Sequence, residues 1–265
     1  MIFLNKYAIL GTDLRSKNLR KLFKEDGYKL TDLNDSDIVI APIPFSKDGI
    51  NVTGEIIKCS DLIKSVKEGN KTIISGAFSK EMKEIMESQN INFVDVMKSD
   101  EMANKNAIPT VEGAIAIAIL NTDFVLEGAN TLVLGYGKIG KKLADKLYNM
   151  GANVYCEARK EKDLEAIRKK GYNEIDLKDL NEYLSQMQVI FNTIPAMILD
   201  KERLDLIGDN TIIIDLASAP GGVDFKYAKK KNKNTEWALA LPAKVAPLSS
   251  AKYYKEEIEK IVKKI

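Results

Sequence analysis

The sequence predicts an α/β protein built from two parallel-sheet domains. Three observations predict it. Short apolar runs of strand length alternate with stretches of helical periodicity along most of the 265 residues. Residues 131–140 set three glycines between one such run and one such helix. A small-residue, apolar stretch over 111–120 separates two sets of alternating elements. A chain of this length holds two domains of about 100–150 residues. The pattern divides it into 1–120, joined by a C-terminal helix over 249–265, and 121–248.

In the first domain Tyr7 to Gly11 reads as a strand, followed by a turn over Thr12 to Arg15 and a helix with Ser16 as N-cap running to about Gly27. Leu19, Leu22 and Phe23 give that helix an apolar face. Ile38 to Ala41 is a second strand ending in Pro42-Ile43-Pro44, a loop at the strand end where open α/β sheets bind ligands. Helix 61–68, strand 72–75, helix 79–88 and strand 91–96 continue the alternation. Arg15 at the first strand-to-helix junction has two readings: an exposed arginine on a first helical turn, or a fork reaching into the mouth of the sheet, where it matches a carboxylate bidentately.

Pro109 and Thr110 read as the start of the next helix, with Glu112 in its first turn. The helix is apolar nearly all round, as expected of one buried between domains. Gly113 is unfavourable there in isolation, which points to close packing or to ligand approach. Glu112 is either a carboxylate favoured by the helix N-terminus or a group facing a cleft.

The second domain opens on Leu132-Val133-Leu134, a buried strand, then Gly135-Tyr136-Gly137-Lys138-Ile139-Gly140, then a helix with Leu143, Leu147 and Met150 on one face. Strand, G-x-G-x-x-G and helix in this order are the context of the dinucleotide fingerprint, and hence of a Rossmann-like domain. Gly135 permits the tight turn, Gly137 lets a pyrophosphate approach the backbone, and Gly140 lets helix and strand pack closely. The helix N-terminus offers N–H groups to the phosphates. The alternative is a glycine-rich turn that holds no ligand.

Strand 153–158 ends in Glu157-Ala158-Arg159-Lys160. A site preferring NAD places Asp or Glu at the end of this strand, about 20 residues past the glycines. Ala158 falls near that position and two cations follow, so NADP is expected over NAD. Glu157 stands one residue early, and alternation turns it to the other face of the strand. Helices over 162–170 and 178–184 and a strand over 189–191 follow. The loop Asn192-Thr193-Ile194-Pro195 closes that strand where the nicotinamide pocket is expected. Strand 212–214 runs into Asp215, Ala217, Ser218 and Gly221-Gly222, a helix over 223–231 and a strand over 235–238. Asp215 either orients a catalytic group or caps a turn, and Lys244 in the loop 240–247 is either an exposed lysine or a site cation.

Composition narrows the chemistry. Forty Lys and Arg against 38 Asp and Glu leave a net charge of +2, which gives no electrostatic case for nucleic acid or membrane. Met1 to Leu4 is too short an apolar start for a signal peptide, and no stretch approaches the roughly 20 residues of a membrane span. Cys59 and Cys156 lack metal-ligand spacing and read as reduced cytoplasmic thiols, so no metal site is expected. The chain has no histidine, which excludes a Ser-His-Asp triad and a histidine base. Proton transfer falls to Lys, Glu, Asp, Tyr, Cys, water or the substrate.

Several separated motifs agree with one family. Residues 108–115, 133–140, 158–160, 214–225 (Ile-Asp-Leu-Ala-Ser-Ala-Pro-Gly-Gly-Val-Asp-Phe) and 237–247 (Trp-Ala-Leu-Ala-Leu-Pro-Ala-Lys-Val-Ala-Pro) resemble the pyridine-nucleotide subunit family of dipicolinate synthase, found in endospore-forming bacteria. Thr12 and Ala243 stand where that family tends to carry glycine. The resemblance implies an N-terminal substrate domain and a C-terminal NADP domain, arranged as in formate and glycerate dehydrogenases. It implies oxidation of dihydrodipicolinate, or of its 4-hydroxy-tetrahydro precursor, to dipicolinate in the mother cell. It also implies the flavoprotein-like second subunit of dipicolinate synthase as partner; a homo-oligomer is expected. Two substrate carboxylates call for cations, which makes Arg15 and Lys244 the candidates, with Glu112 or Asp215 as proton acceptor or its orienter. Other functions open to the chain are NADP-dependent oxidation of another hydroxy or imino acid, and a non-catalytic role in binding NADP.

Overall fold

The computed structural model describes residues 5–264. Met1 to Leu4, the apolar start considered above, and Ile265, the end of the expected last helix, lie outside the described residues. The chain divides into two compact units: the residues up to Asn106 together with those from Ala246 onward, and Ala107–Val245.

The first unit runs β1 (Lys6–Ile9), α1 (Leu14–Glu25), β2 (Lys29–Leu30), β3 (Ile38–Ile40), α2 (Cys59–Glu68), β4 (Thr72–Ser75), α3 (Lys80–Ser88) and β5 (Asn92–Asp95). All strand pairs are parallel, in the order β2-β1-β3-β4-β5. The strand order reverses between β1 and β3, so the loops after these two strands flank the switch point. α1 is capped by Asp13, whose side chain accepts from Ser16 N at 2.7 Å. Ser16, expected as the cap, is instead buried inside the first turn; the carboxylate three residues ahead takes the orphan amide first. β2 has two residues and no apolar alternation, so it left no sequence signal.

α4 spans Asp100–Leu120 and starts well before the expected Pro109. Its first turns are held by Lys105, which pairs with Glu101 at 2.8 Å and with Glu256 at 2.6 Å. Pro109 therefore sits inside the helix. The buried faces of Ala107, Val111, Ala114 and Ala118 outweigh its cost of about 3 kcal/mol.

The second unit runs β6 (Asn130–Leu134), α5 (Lys138–Asn149), β7 (Asn153–Ala158), α6 (Glu161–Lys169), β8 (Asn173–Asp176), β9 (Val189–Asn192), α7 (Lys201–Leu206), β10 (Ile212–Asp215), α8 (Phe225–Lys230), β11 (Asn234–Trp237) and α9 (Leu241–Val245). The parallel sheet has the order β11-β10-β9-β6-β7-β8, with its switch point between β6 and β9. Val133, Cys156 and Phe191 pack on one face with Leu143 and Leu147 of α5; Leu132, Leu134 and Ile190 pack on the other with Leu180 and Leu204. The helix expected over 178–184 is a pair of 3-10 turns, Leu177–Glu182 and Leu184–Gln186. β8 reads Asn-Glu-Ile-Asp at the sheet edge, too polar to register as a strand. α8 is shorter than expected because Asp224 caps it, accepting from Tyr227 N at 2.9 Å. The expected loop 240–247 contains α9, whose Leu241 and Val245 would lie 3.2 Å from a Cβ at Gly113. Close helix packing, not a ligand, thus explains that glycine. α10 (Pro247–Val262) returns to the first unit, where Ala251, Tyr254 and Ile258 join its core.

Candidate functional site

The fingerprint turn leaves β6 at the switch point of the second sheet. Gly135 has φ +90°, and a Cβ there would lie 2.7 Å from Thr193 Oγ1 and 2.8 Å from Ile194 Cγ1. Conformation and clearance both demand glycine. Thr193 fixes the contact by donating to Leu134 O at 2.9 Å. A Cβ on Gly140 would stand 2.0 Å from Gly135 O, so α5 approaches the turn as closely as its backbone allows. Gly137 faces open space, with nothing within 4 Å of its would-be Cβ, and it caps α5 without a side-chain bond. The first turn of α5 carries no acid. Lys138 is exposed and Ile139 half-buried. Tyr136 packs on the core; burial pushes its hydroxyl up to about 12, and Lys141 Nζ lies 5.0 Å from its ring centroid. Free amides, a dipole end and open room fit a pyrophosphate.

At the end of β7, Arg159 and Lys160 are exposed, and Ala158 is buried on the side of α5. Glu157 lies on the opposite face, in register with Leu134, and is 1% exposed. Its Oε2 accepts from Gly135 N at 3.1 Å, and Oε1 is buried with no hydrogen-bond partner. Burial raises this carboxyl above the ordinary range, opposed by the Gly135 amide and by Arg159 and Arg203.

The loops after β9 and β10 are tied together. Asn192 and Asp215 are register partners, both fully buried. Asp215 Oδ1 accepts from Asn192 Nδ2 at 2.8 Å and from Ala217 N at 2.9 Å, and Oδ2 accepts from Gly222 N at 2.7 Å. Asn192 also donates to Ile194 O and accepts from Ile194 N, both at 3.0 Å. Asp215 therefore braces the segments 192–194 and 217–222. Pro195 and Ser218 are exposed on these segments, and Ala217 is buried beneath, its carbonyl accepting from Trp237 Nε1 at 3.0 Å.

Two other expected site residues of this unit lie apart from that network. Glu112 is exposed and pairs with Lys146 of α5 at 3.2 Å. Lys244 is exposed on α9.

In the first unit Arg15 is 3% exposed and donates to Ile43 O, in the loop after β3, across the switch point. Asp13 Oδ2 is 4.0 Å away. Among the described residues Ile43 O is its one hydrogen-bond partner, out of five N–H donors. Burial disfavours the guanidinium charge. Two residues without a sequence signal complete this edge. Glu55, from the loop before α2, accepts from Gly11 N at 2.5 Å. Tyr254 of α10 places its hydroxyl 2.9 Å from Ala41 O and from Ile74 O. Both contacts join segments far apart in sequence, so local pattern could not reveal them.

The family model of the NAD-binding domain of D-isomer specific 2-hydroxyacid dehydrogenases matches residues 120–223. One of the subunits of dipicolinate synthase from Bacillus subtilis (strain 168) is 32% identical over 234 residues, which span 86% of this chain and 78% of that protein. The crystal structure of the same dipicolinate synthase component from Bacillus halodurans matches with a TM-score of 0.88 at 27% identity, covering 97% of each chain. Phosphoglycerate oxidoreductase from Vibrio cholerae matches in fold, with a TM-score of 0.70 at 12% identity over 98% of each chain. The second unit is thus a nicotinamide-dinucleotide domain of the dehydrogenase kind. Among the described residues no helix is long and apolar enough to cross a membrane.

Proposed function

Because the chain belongs to the nucleotide-subunit family of dipicolinate synthase, we propose that it catalyses the NADP-dependent oxidation of a cyclic dicarboxylate to dipicolinate. The substrate is dihydrodipicolinate or its 4-hydroxy-tetrahydro precursor. The observation that carries this beyond family membership is Arg15: a buried guanidinium with most of its donors unspent, at the switch point of a parallel sheet. A substrate carboxylate accepts that fork bidentately and offsets the burial of its charge. Lys244 supplies the second cation.

The bound nicotinamide accepts a hydride, and aromatisation of the product ring drives the transfer. The protein positions. Amides at the start of α5 hold the pyrophosphate, and Gly137 leaves it room. Arg159 and Lys160 hold the 2′-phosphate. The segments 192–195 and 217–218, braced by Asp215, shape the nicotinamide pocket and fix its distance to the ring carbon. Asp215 is the orienter, since its lone pairs are given to Asn192, Ala217 and Gly222. Glu112 receives the ring proton. The protein works in the cytoplasm of a sporulating mother cell, as a homo-oligomer, with the flavoprotein-like second subunit of dipicolinate synthase as partner.

The test is one cuvette holding purified protein, NADP⁺ and freshly generated product of dihydrodipicolinate synthase, with NADPH and dipicolinate absorbance followed together. Equal growth of both supports a self-sufficient dehydrogenase. No growth while NADP⁺ stays bound rejects it in favour of an enzyme that needs the flavoprotein-like partner, or of a scaffold. Lys244→Ala raises KM at least tenfold with little change in NADP⁺ affinity; an unchanged KM removes Lys244 from the site.

A further inference from the structure

The chemistry proposed above makes no use of Glu157, yet it sits against the first glycine of the dinucleotide turn. A residue that only filled this place would not need a charge. The surrounding face is apolar, with Leu134 in register on β6 and Ile175 in register on β8. A glutamine side chain would accept from Gly135 N equally well. The carboxylate instead leaves Oε1 buried without a partner. The charged groups that act on it are Arg159 at the end of its own strand, Arg203 from α7 and Asp176 at the end of β8. Arg203 is engaged elsewhere, donating to Asn181 Oδ1 at 3.0 Å and to Ile198 O at 2.9 Å. Arg159 is the cation that the carboxylate shares with any phosphate placed at the strand end.

We propose that Glu157 is a specificity-determining residue of the dinucleotide site: its negative charge beside Gly135 and Arg159 opposes a 2′-phosphate and so limits the preference for NADP over NAD. The inference rests on the assignment of Arg159 and Lys160 to the 2′-phosphate. It differs from the usual acidic contact to an adenosine ribose, because Glu157 is buried on the opposite face from Ala158 and acts through its field and the Gly135 amide. NAD lacks the phosphate and is nearly indifferent to that field. One charge acting over about 10 Å through partly screened protein changes the affinity ratio by about tenfold.

The test is isothermal titration of the full chain with NADP⁺ and with NAD⁺ at fixed ionic strength, on the wild type, Glu157→Gln, Glu157→Asp and Arg159→Ala. Glu157→Gln keeps the acceptor on Gly135 N and removes the charge. The expected result is that the ratio of Kd for NAD⁺ to Kd for NADP⁺ rises about tenfold in Glu157→Gln. In Glu157→Asp the ratio stays near the wild-type value while both affinities fall. A structural role would move both cofactors together in Glu157→Gln, and that result overturns the proposal, as does an unchanged ratio. A ratio in Glu157→Asp equal to that in Glu157→Gln assigns the effect to the Gly135 contact and also overturns it. Arg159→Ala tests the underlying assignment separately: if the ratio does not fall there, the NADP reading fails, whatever Glu157 does.

Discussion

Replacing Asp215 by asparagine tests whether this carboxylate is a brace. The side chain is fully buried and receives three hydrogen bonds, from Asn192 Nδ2, Ala217 N and Gly222 N. An amide oriented to keep its oxygen toward Asn192 and Ala217 turns its NH2 group toward the Gly222 amide, donor against donor. The opposite flip loses two bonds, so the first is preferred. The cost is one charge-assisted bond, about 1.5–3 kcal/mol, plus an orphaned buried N–H, about 1–3 kcal/mol. Relaxation of the 217–222 segment recovers part of that sum, which leaves about 4 kcal/mol. With a guanidinium m-value of about 4 kcal/mol/M, the unfolding midpoint falls by about 1 M. Trp237 is the chain's one tryptophan, and it stacks on Phe225 at 5.2 Å and donates to Ala217 O. Its emission therefore reports on the braced segment itself. A midpoint within about 0.2 M of the wild type, together with lost turnover, would falsify the brace and return Asp215 to direct chemistry.

The other predictions concern the turn, its carboxylate and the buried arginine. Gly140→Ala puts a methyl 2.0 Å from Gly135 O, so α5 must back away from the turn; NADP⁺ affinity falls at least a hundredfold, and a Kd within threefold of the wild type by titration calorimetry would contradict it. Glu157 sets a pH dependence of stability. Its carboxyl is raised in the folded state, so between the ordinary carboxyl value and the raised one the folded chain holds a proton that the unfolded chain has released. Stability therefore falls as pH rises through that window, and Glu157→Gln, which carries no such proton, gains on the wild type by about 1–3 kcal/mol at neutral pH and by little at pH 4. Thermal scans of both proteins from pH 4 to pH 8 check this, and a gap independent of pH rejects it. Arg15→Lys keeps the charge but loses the planar fork, so KM for the dicarboxylate rises about tenfold while Kd for NADP⁺ is unchanged; equal changes in both would mean that Arg15 only supports the fold.

The fingerprint was legible because each glycine answers a local demand. A positive φ at Gly135 and a 2.0 Å clearance at Gly140 are needs that no other residue meets, so sequence and geometry coincide. The buried strands were legible as apolar runs for the same reason: burial on both faces leaves no polar position to blur them. Edges were not. β2 and β8 are polar because one side of each faces solvent, and pairing with an inner strand, not their own pattern, makes them strands. Pro109 misplaced the start of α4, because the ion pairs that hold its first turns come partly from Glu256, far along the chain. The same distance in sequence hid Glu55 and Tyr254. Asp215 was legible as a polar residue at a strand end, but its role was not, since the role depends on Asn192 lying opposite in the register.

The polar groups at the two switch points differ in how their burial is compensated, and that difference bears on what each can do. At β9 and β10 the buried carboxylate of Asp215 and the amide of Asn192 are matched by backbone N–H groups and by each other. Such a network holds a shape and gains little from a ligand, because its lone pairs are already used. At β1 and β3 the guanidinium of Arg15 is nearly as buried but has one carbonyl partner among the described residues. Its remaining donors gain a full charge-assisted bond from any anion that reaches them, about 1.5–3 kcal/mol each. Binding energy is therefore available in the first unit and rigidity in the second. An enzyme that aligns a hydride donor carbon with a nicotinamide needs both: an anchor for the acid and an inflexible wall for the cofactor. Glu157 belongs to neither class. Its Oε2 is matched by the Gly135 amide and its Oε1 is not, so it is the group in the dinucleotide turn whose charge state a nearby phosphate still alters.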